Sequence, residues 1–257
     1  MLTKNQIKHY SSLLSKKYRL QEKKFIVEGI KLVEEALISE YSCEIIIAVK
    51  EFAEEDQNLL KRLDKRKITT EIVKSTDFEK LSDTKNPQGI IGVFHFKQQC
   101  SSDFKHEKLI VALENISDPG NLGTILRNCD WFGIKNVLLS PDCAEIYNPK
   151  VIRASAGSVF HLDIYEEKDL YNVLVELKKN GFVILCADLN GENLYSFSRS
   201  SKTILVLANE ANGPTEKLLQ SCDSKITIPR IGKAESLNVA SASAVILSEI
   251  TKAINKN

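Results

Sequence analysis

Ile228-Pro229-Arg230-Ile231-Gly232-Lys233-Ala234-Glu235-Ser236-Leu237-Asn238 runs straight into Val239-Ala240-Ser241-Ala242-Ser243-Ala244. An apolar run ends at Pro229, a polar loop follows, and Ser236 and Asn238 stand where helix N-cap residues are expected. Backbone N–H groups in such a loop and in the first helical turn have no intrahelical partners, so they can bind a polar ligand. The alanines and serines that open the helix let other backbone approach closely. Tight packing or threading is expected here.

Working outward, residues 108–257 alternate apolar strands with helices. Leu109 to Leu113, Asn136 to Leu139, His161 to Tyr165, Phe182 to Cys186, Thr203 to Leu207 and Lys225 to Ile228 read as strands. A helix after Gly123 carries Leu122, Ile125, Leu126, Cys129 and Phe132 on one stripe and ends at Gly133, which suits a left-handed C′ position. Such alternation predicts a mostly parallel sheet covered on both faces. Sites in these sheets form at the carboxyl ends of strands. Three polar loops lie at those ends: 115–123, 208–214 and 229–238.

Residues 1–97 form a smaller α/β unit, with helices near 4–14, 30–39 and 52–64 and strands at 23–29, Cys43 to Val49, Thr70 to Val73 and Gly89 to Phe96. The polar, weakly patterned stretch 98–107 is a linker. Over residues 1–35, Lys4, Lys8, Lys16, Lys17, Arg19, Lys23, Lys24 and Lys31 outnumber Glu22, Glu28, Glu34 and Glu35. That end can meet phosphates or can simply be a solvated face.

At 257 residues, 43% hydrophobic and 27% charged, with a net charge of +1, the chain has the composition of a globular protein with ample core. It lacks an apolar run of membrane-spanning length and a signal-peptide core at its start, so a cytoplasmic location is expected. The six cysteines and four histidines are scattered singly, which predicts buried free thiols and no metal site. No phosphate-binding glycine motif follows any strand, which argues against a dinucleotide-binding protein.

Taken singly, each loop has an ordinary reading: Asp118-Pro119-Gly120-Asn121 as a turn, Ser236 and Asn238 as caps, Glu210 as a solvated carboxylate, Arg127 as a surface cation. Asn121, Arg127, Glu210, Ser236 and Asn238 nevertheless share one expected sheet edge. Asp118-Pro119-Gly120-Asn121-Leu122-Gly123-Thr124-Ile125-Leu126-Arg127, then Leu207-Ala208-Asn209-Glu210, then Ile228 to Gly232 with Glu235-Ser236-Leu237-Asn238-Val239 resemble the three ordered motifs of the SpoU (TrmH-like) family of RNA 2′-O-ribose methyltransferases. Lys23-Lys24-Phe25-Ile26-Val27-Glu28-Gly29 is similar to the substrate-binding domain that precedes many of these catalytic domains.

The resemblance implies a SPOUT-type α/β domain with a parallel sheet and a deep trefoil knot, behind a smaller N-terminal domain like ribosomal protein L30e. It implies S-adenosylmethionine as cofactor, RNA as partner and a homodimer formed through the C-terminal domain. Leu207, Ala208, Asn209, Gly213, Ile228 and Leu237 correspond to the family's cofactor-binding positions. Asn121, Arg127, Glu210, Ser236 and Asn238 correspond to its catalytic ones. Lys16, Lys17, Arg19, Lys24 and Arg153 are candidate RNA contacts. Arg127 matches the residue credited with helping remove the 2′-hydroxyl proton; a guanidinium has no acceptor, so stabilising an alkoxide or holding a phosphate is the alternative. The two glycines common around the second motif are replaced by Ala208 and Ala211. The expected reaction is methyl transfer to a ribose 2′-hydroxyl of 23S rRNA. The alternatives are a tRNA 2′-O-methyltransferase and a non-catalytic knotted RNA-binding protein.

Overall fold

The computed structural model describes residues 2–98, 104–197, 202–209 and 213–252. They fall into two compact units, one of Met1–Gln98 with Glu145–Phe160, the other of Gln99–Ala144 with His161–Asn257.

The first unit begins with α1 (Lys4–Ser12) and α2 (Lys16–Glu22), where a single helix over 4–14 was expected. Thr3 starts α1 with a capping box: its hydroxyl accepts from the Gln6 amide at 3.3 Å, and the Gln6 side chain accepts from the Thr3 amide at 2.9 Å. Then follow β1 (Lys24–Glu28), α3 (Ile30–Ile38), β2 (Cys43–Val49), α4 (Lys50–Glu55), α5 (Gln57–Lys65), β3 (Thr70–Val73), α6 (Ser75–Phe78) and β4 (Ile90–His95). The helix expected over 52–64 is interrupted at Asp56, whose carboxylate accepts from the Leu59 amide at 2.9 Å and so starts α5. The strands form a mixed sheet in the order β1-β4-β2-β3, with β4 antiparallel to both neighbours. Phe25, Ile46, Ile47, Ile90 and Phe94 are fully buried in it.

The second unit runs through β5 (Leu109–Glu114), α7 (Pro119–Trp131) and β6 (Asn136–Leu139). The chain then returns to the first unit for α8 (Pro149–Ala154), where Tyr147 stacks on Phe25 and Phe96 at ring-centroid distances of 4.5 and 4.0 Å. It continues in the second unit with β7 (Asp163–Glu166), α9 (Leu170–Lys179), β8 (Val183–Asn193), β9 (Thr203–Ala208), α10 (Glu216–Ser221), β10 (Ser224–Thr227) and α11 (Val239–Lys252). All six strands are parallel, in the order β10-β8-β9-β5-β6-β7. Near-continuous burial of β5 and β9 follows from cover on both faces.

β8 extends seven residues past Cys186, where the apolar run stops. β10 pairs first with Leu185 and Cys186, then shifts register to pair Ile226 with Glu192 and Thr227 with Asn193. Where the two strands cross, a Cβ on Gly191 would lie 2.4 Å from the Ile226 carbonyl carbon, so only glycine fits. The small residues of α11 meet α7: the Asn128 amide donates to the Ala240 carbonyl at 3.0 Å and to the Ser243 hydroxyl at 2.8 Å. Cys129, Cys143 and Cys186 are buried free thiols, Cys43 and Cys222 are half-buried ones, and Cys100 lies outside the described residues.

Candidate active site

The loops after β5, β9 and β10 leave the same edge of the sheet, as their parallel register requires; Glu114 pairs with Ala208 at the ends of β5 and β9. Between the β9 and β10 loops lies a cavity of about 360 Å³. Leu207, Ala208, Asn209, Gly213, Ile228, Ser236 and Leu237 line it, as do Ile226, Val239 and Ile246. Ala187, Asp188 and Leu189 line it too; they lie past Cys186, where the apolar run of β8 stops, and so carry no signal in the sequence.

Asn238 connects two parts of this edge. Its side-chain oxygen accepts from the Ala240 and Ser241 amides at 2.9 and 3.3 Å, capping α11, while its side-chain nitrogen donates to the Asn121 side chain at 2.9 Å. Asn121 in turn sits in the first turn of α7, where Asp118 caps the helix by accepting from the Asn121 amide at 2.8 Å. Of the two residues expected at N-cap positions, Asn238 caps α11 and Ser236 lies exposed in the loop before it. Arg127 is exposed two turns further along α7 than Asp118 and, among the described residues, has no ion-pair or hydrogen-bond partner. Its charge is thus available to an anion. Glu210 and Ala211 lie outside the described residues.

Glu114 and Asn115 hold the β9 loop from beneath, a role sequence reasoning missed. The fully buried Glu114 carboxylate accepts from the Tyr171 hydroxyl at 2.6 Å, the Thr215 hydroxyl at 2.6 Å and the Thr215 amide at 3.0 Å. The Asn209 amide donates to the Glu114 carbonyl at 3.1 Å, and its side chain donates to the Asn115 carbonyl at 3.0 Å. Gly213 closes the loop by donating to the Asn209 carbonyl at 2.8 Å. Burial, then the hydrogen bond to Glu114, holds the Tyr171 phenol above its ordinary pKa, so at neutral pH it remains a donor. The available signal was one acidic residue closing an otherwise apolar strand.

One of the expected RNA contacts needs correction. Arg19 is 2% exposed, with its guanidinium paired to Glu145 at 2.5 Å and donating to the Leu13 and Leu14 carbonyls at 2.9 and 2.8 Å. Its five N–H groups are a structural fork, and no phosphate can reach them. Lys24 pairs with Glu44 at 2.5 Å and stays partly exposed. Arg153 pairs with Asp83 at 2.7 Å within the first unit and stays partly exposed. Lys16 and Lys17 are exposed.

The SpoU rRNA methylase family profile matches residues 108–248, the stretch that builds this edge. The chain belongs to the SpoU rRNA methylase family. Residues 4–92 match the MRM3-like substrate-binding domain. A 23S rRNA (guanosine(2553)-2′-O)-methyltransferase, RlmP, of Bacillus subtilis is 32% identical over 246 residues, 95% of each chain. A TrmH-family protein from Porphyromonas gingivalis superposes with a TM-score of 0.86 at 34% identity, covering 97% of this chain and 98% of the other. An rRNA methyltransferase from Sinorhizobium meliloti with S-adenosylmethionine bound gives 0.85 at 25% identity, covering 99% of this chain and 97% of the other. S-adenosylmethionine is the SpoU cofactor, and the residues present fit it. The cavity falls in the size range of small-molecule sites, about 300–1,000 Å³. Leu207, Ile226, Ile228, Leu237 and Ile246 offer apolar walls, and Asp188, Asn209 and the loop backbone offer polar atoms at the rim.

Proposed function

We propose that this chain transfers a methyl group from S-adenosylmethionine to a ribose 2′-hydroxyl of 23S rRNA, with residues 1–97 gripping the RNA and residues 108–257 performing the transfer. The observation that carries this reading is the side-chain link from Asn238 to Asn121 beside the cavity, with Arg127 unpaired on the same helix. The bound cofactor supplies an electrophilic methyl group on its sulfonium. The protein's share is position and charge. Leu207, Ala208, Asn209, Gly213, Ile228 and Leu237 hold the cofactor between two loops. Asn121 and Asn238, locked to each other and to the two helix starts, fix the substrate side of the cavity, and Ser236 borders it. Arg127 cannot accept a proton, because a guanidinium stays charged in proteins. It donates instead to the 2′-oxygen, which gains negative charge as its proton passes to solvent water and the methyl group arrives.

The close crossing of Gly191 over Ile226 supports a knotted path for the C-terminal chain, and the mixed four-stranded sheet supports an L30e-like N-terminal domain. A homodimer through the second unit is supported by the single tryptophan, Trp131, which is 83% exposed on α7. The likeness to the Bacillus subtilis enzyme over both units supports large-subunit rRNA as the substrate. The test is transfer of labelled methyl groups to unmodified 23S rRNA, 16S rRNA and tRNA in separate reactions. Label in 23S rRNA alone is expected; label in tRNA alone overturns the substrate assignment, and label in none overturns the activity.

A further inference from the structure

Two thiols of the second unit meet in its core. Cys186 ends the apolar run of β8, and Cys222 follows the last residue of α10. Cys186 is fully buried in one layer with Ile184, Val206, Ala208 and Leu218, and Cys222 packs against the same layer. The backbone brings the two together before β10 begins: the Asp223 amide donates to the Ile184 carbonyl at 2.9 Å, and the Ile184 amide donates to the Asp223 carboxylate at 2.9 Å. From there β10 runs beside Leu185 and Cys186. The Cys186 thiol donates a hydrogen bond to the Cys222 sulfur. That bond first, then burial, keeps the proton on Cys186, whereas at Cys222 the same bond outweighs burial and lowers the pKa. Burial raises the Cys43, Cys129 and Cys143 thiols instead. A half-buried thiol inclined to ionise thus lies against a buried one that holds its proton.

We propose that Cys186 and Cys222 are an oxidisable dithiol, a modification site at which a peroxide closes a disulfide against the wall of the cofactor cavity. The Cys222 thiolate attacks one oxygen of hydrogen peroxide; the O–O bond breaks, a sulfenic acid forms, and the released hydroxide takes up the thiol proton as water. The Cys186 sulfur then attacks the Cys222 sulfur, and the Cys186 proton leaves with the sulfenic hydroxyl as a second water. Two thiols and one peroxide give one disulfide and two waters, with two electrons passing from sulfur to oxygen. A disulfide holds its sulfurs about 2.05 Å apart, closer than hydrogen-bonded thiols lie. Closing it draws the end of β8 towards the chain after α10. Ala187, Asp188 and Leu189, which follow Cys186 directly, line the cavity, and so does Ala208 of the same buried layer. Oxidation therefore shifts this wall and weakens cofactor binding, and reduction restores it. That consequence rests on the cavity holding the cofactor, as proposed above; the closing of the disulfide does not.

The test treats the reduced full chain with hydrogen peroxide, alkylates the remaining thiols, and reads intact mass and peptide maps for the wild type and Cys222→Ser. The wild type is expected to lose about 2 Da before alkylation, the two thiol hydrogens, and to yield a peptide pair joined through Cys186 and Cys222 that dithiothreitol separates. Cys222→Ser is expected to yield no such pair. In calorimetric titration with S-adenosylmethionine, the oxidised wild type is expected to bind about threefold or more weakly than the reduced protein and to recover with dithiothreitol. Peroxide-treated Cys222→Ser is expected to bind like its untreated form. The mapping of the wild type needs no variant, so a Cys222→Ser chain that fails to fold leaves the proposal testable. Recovery of both cysteines alkylated, a disulfide between other cysteines, or a sulfinic acid at Cys222 beside an alkylated Cys186 overturns the dithiol. A Cys186–Cys222 disulfide with unchanged cofactor affinity overturns its action on the cavity. Mapping requires neither cofactor nor RNA, so a chain that closes the disulfide but binds no S-adenosylmethionine when reduced sinks the enzymatic reading and spares the dithiol.

Discussion

Replacing Glu114 tests whether the cofactor loop is held from below. The carboxylate accepts three hydrogen bonds, two from hydroxyls at 2.6 Å and one from the Thr215 amide at 3.0 Å. At about 1.5–3 kcal/mol for each bond to a charged acceptor, the gross loss in Glu114→Ala is roughly 5–9 kcal/mol. Part of this is recovered, because the Tyr171 and Thr215 hydroxyls lie 3.1 Å apart and can bond to each other. The stranded Thr215 amide and the vacated volume remain, for a net destabilisation of about 2–4 kcal/mol. That corresponds to a melting temperature lower by roughly 5–15 °C. Glu114→Gln fits the same space; with its oxygen on the Thr215 amide and its nitrogen toward the two hydroxyls it keeps the bond count and loses the charge, at about 1–2 kcal/mol. Because Thr215 caps α10 and closes the loop that begins at Asn209, both variants are expected to bind S-adenosylmethionine more weakly, Ala more than Gln, in calorimetric titrations run well below their melting temperatures. An unchanged melting temperature in Glu114→Ala would refute the network, and unchanged cofactor affinity with a lowered melting temperature would refute its link to the site.

Gly191→Ala forces a Cβ to 2.4 Å from the Ile226 backbone, and the strands must separate; a loss of about 3 kcal/mol in urea unfolding is expected, against almost none for Gly232→Ala, where a Cβ meets open space. Asn238→Asp keeps the acceptor that caps α11 and removes the donor to Asn121, so methyl transfer should fall by tenfold or more, about 1.4 kcal/mol, with the melting temperature nearly unchanged; full activity would remove the Asn238–Asn121 link from the mechanism. Burial, then the nearby Glu44 carboxylate, pushes the Tyr10 phenol up to about 12 from 10.0. The folded chain holds this proton more tightly than the unfolded one, so the stabilisation is complete below pH 10 and is lost as pH rises towards 12. Tyr10→Phe should flatten this part of the stability curve, and parallel curves for the two proteins would contradict it.

Local pattern carried much of the architecture. The β-branched run Glu44 to Val49 falls inside β2, and the loops after the apolar runs ending at Leu113, Leu207 and Ile228 do share one sheet edge. What escaped depends on partners remote in sequence. Arg19 reads as a surface cation until Glu145, 126 residues away, takes its charge. Glu114 reads as the polar end of a strand until Tyr171 and Thr215, 57 and 101 residues on, enclose it. The continuation of β8 through Gly191 has no apolar signal, because its pairing with β10 is made by backbone at a crossing and its side chains stay largely in water. Asn128 carries no signal of its own, because its partners Ala240 and Ser243 lie 112 and 115 residues further along the chain.

The central claim is that the methyl group goes to a ribose oxygen. After reaction with methyl-labelled S-adenosylmethionine, 23S rRNA can be hydrolysed completely in alkali, which needs a free 2′-hydroxyl at each cleaved linkage, and the fragments separated by size. All label in alkali-resistant dinucleotides is the predicted result; label in mononucleotides, where a base would carry the methyl group, would contradict it.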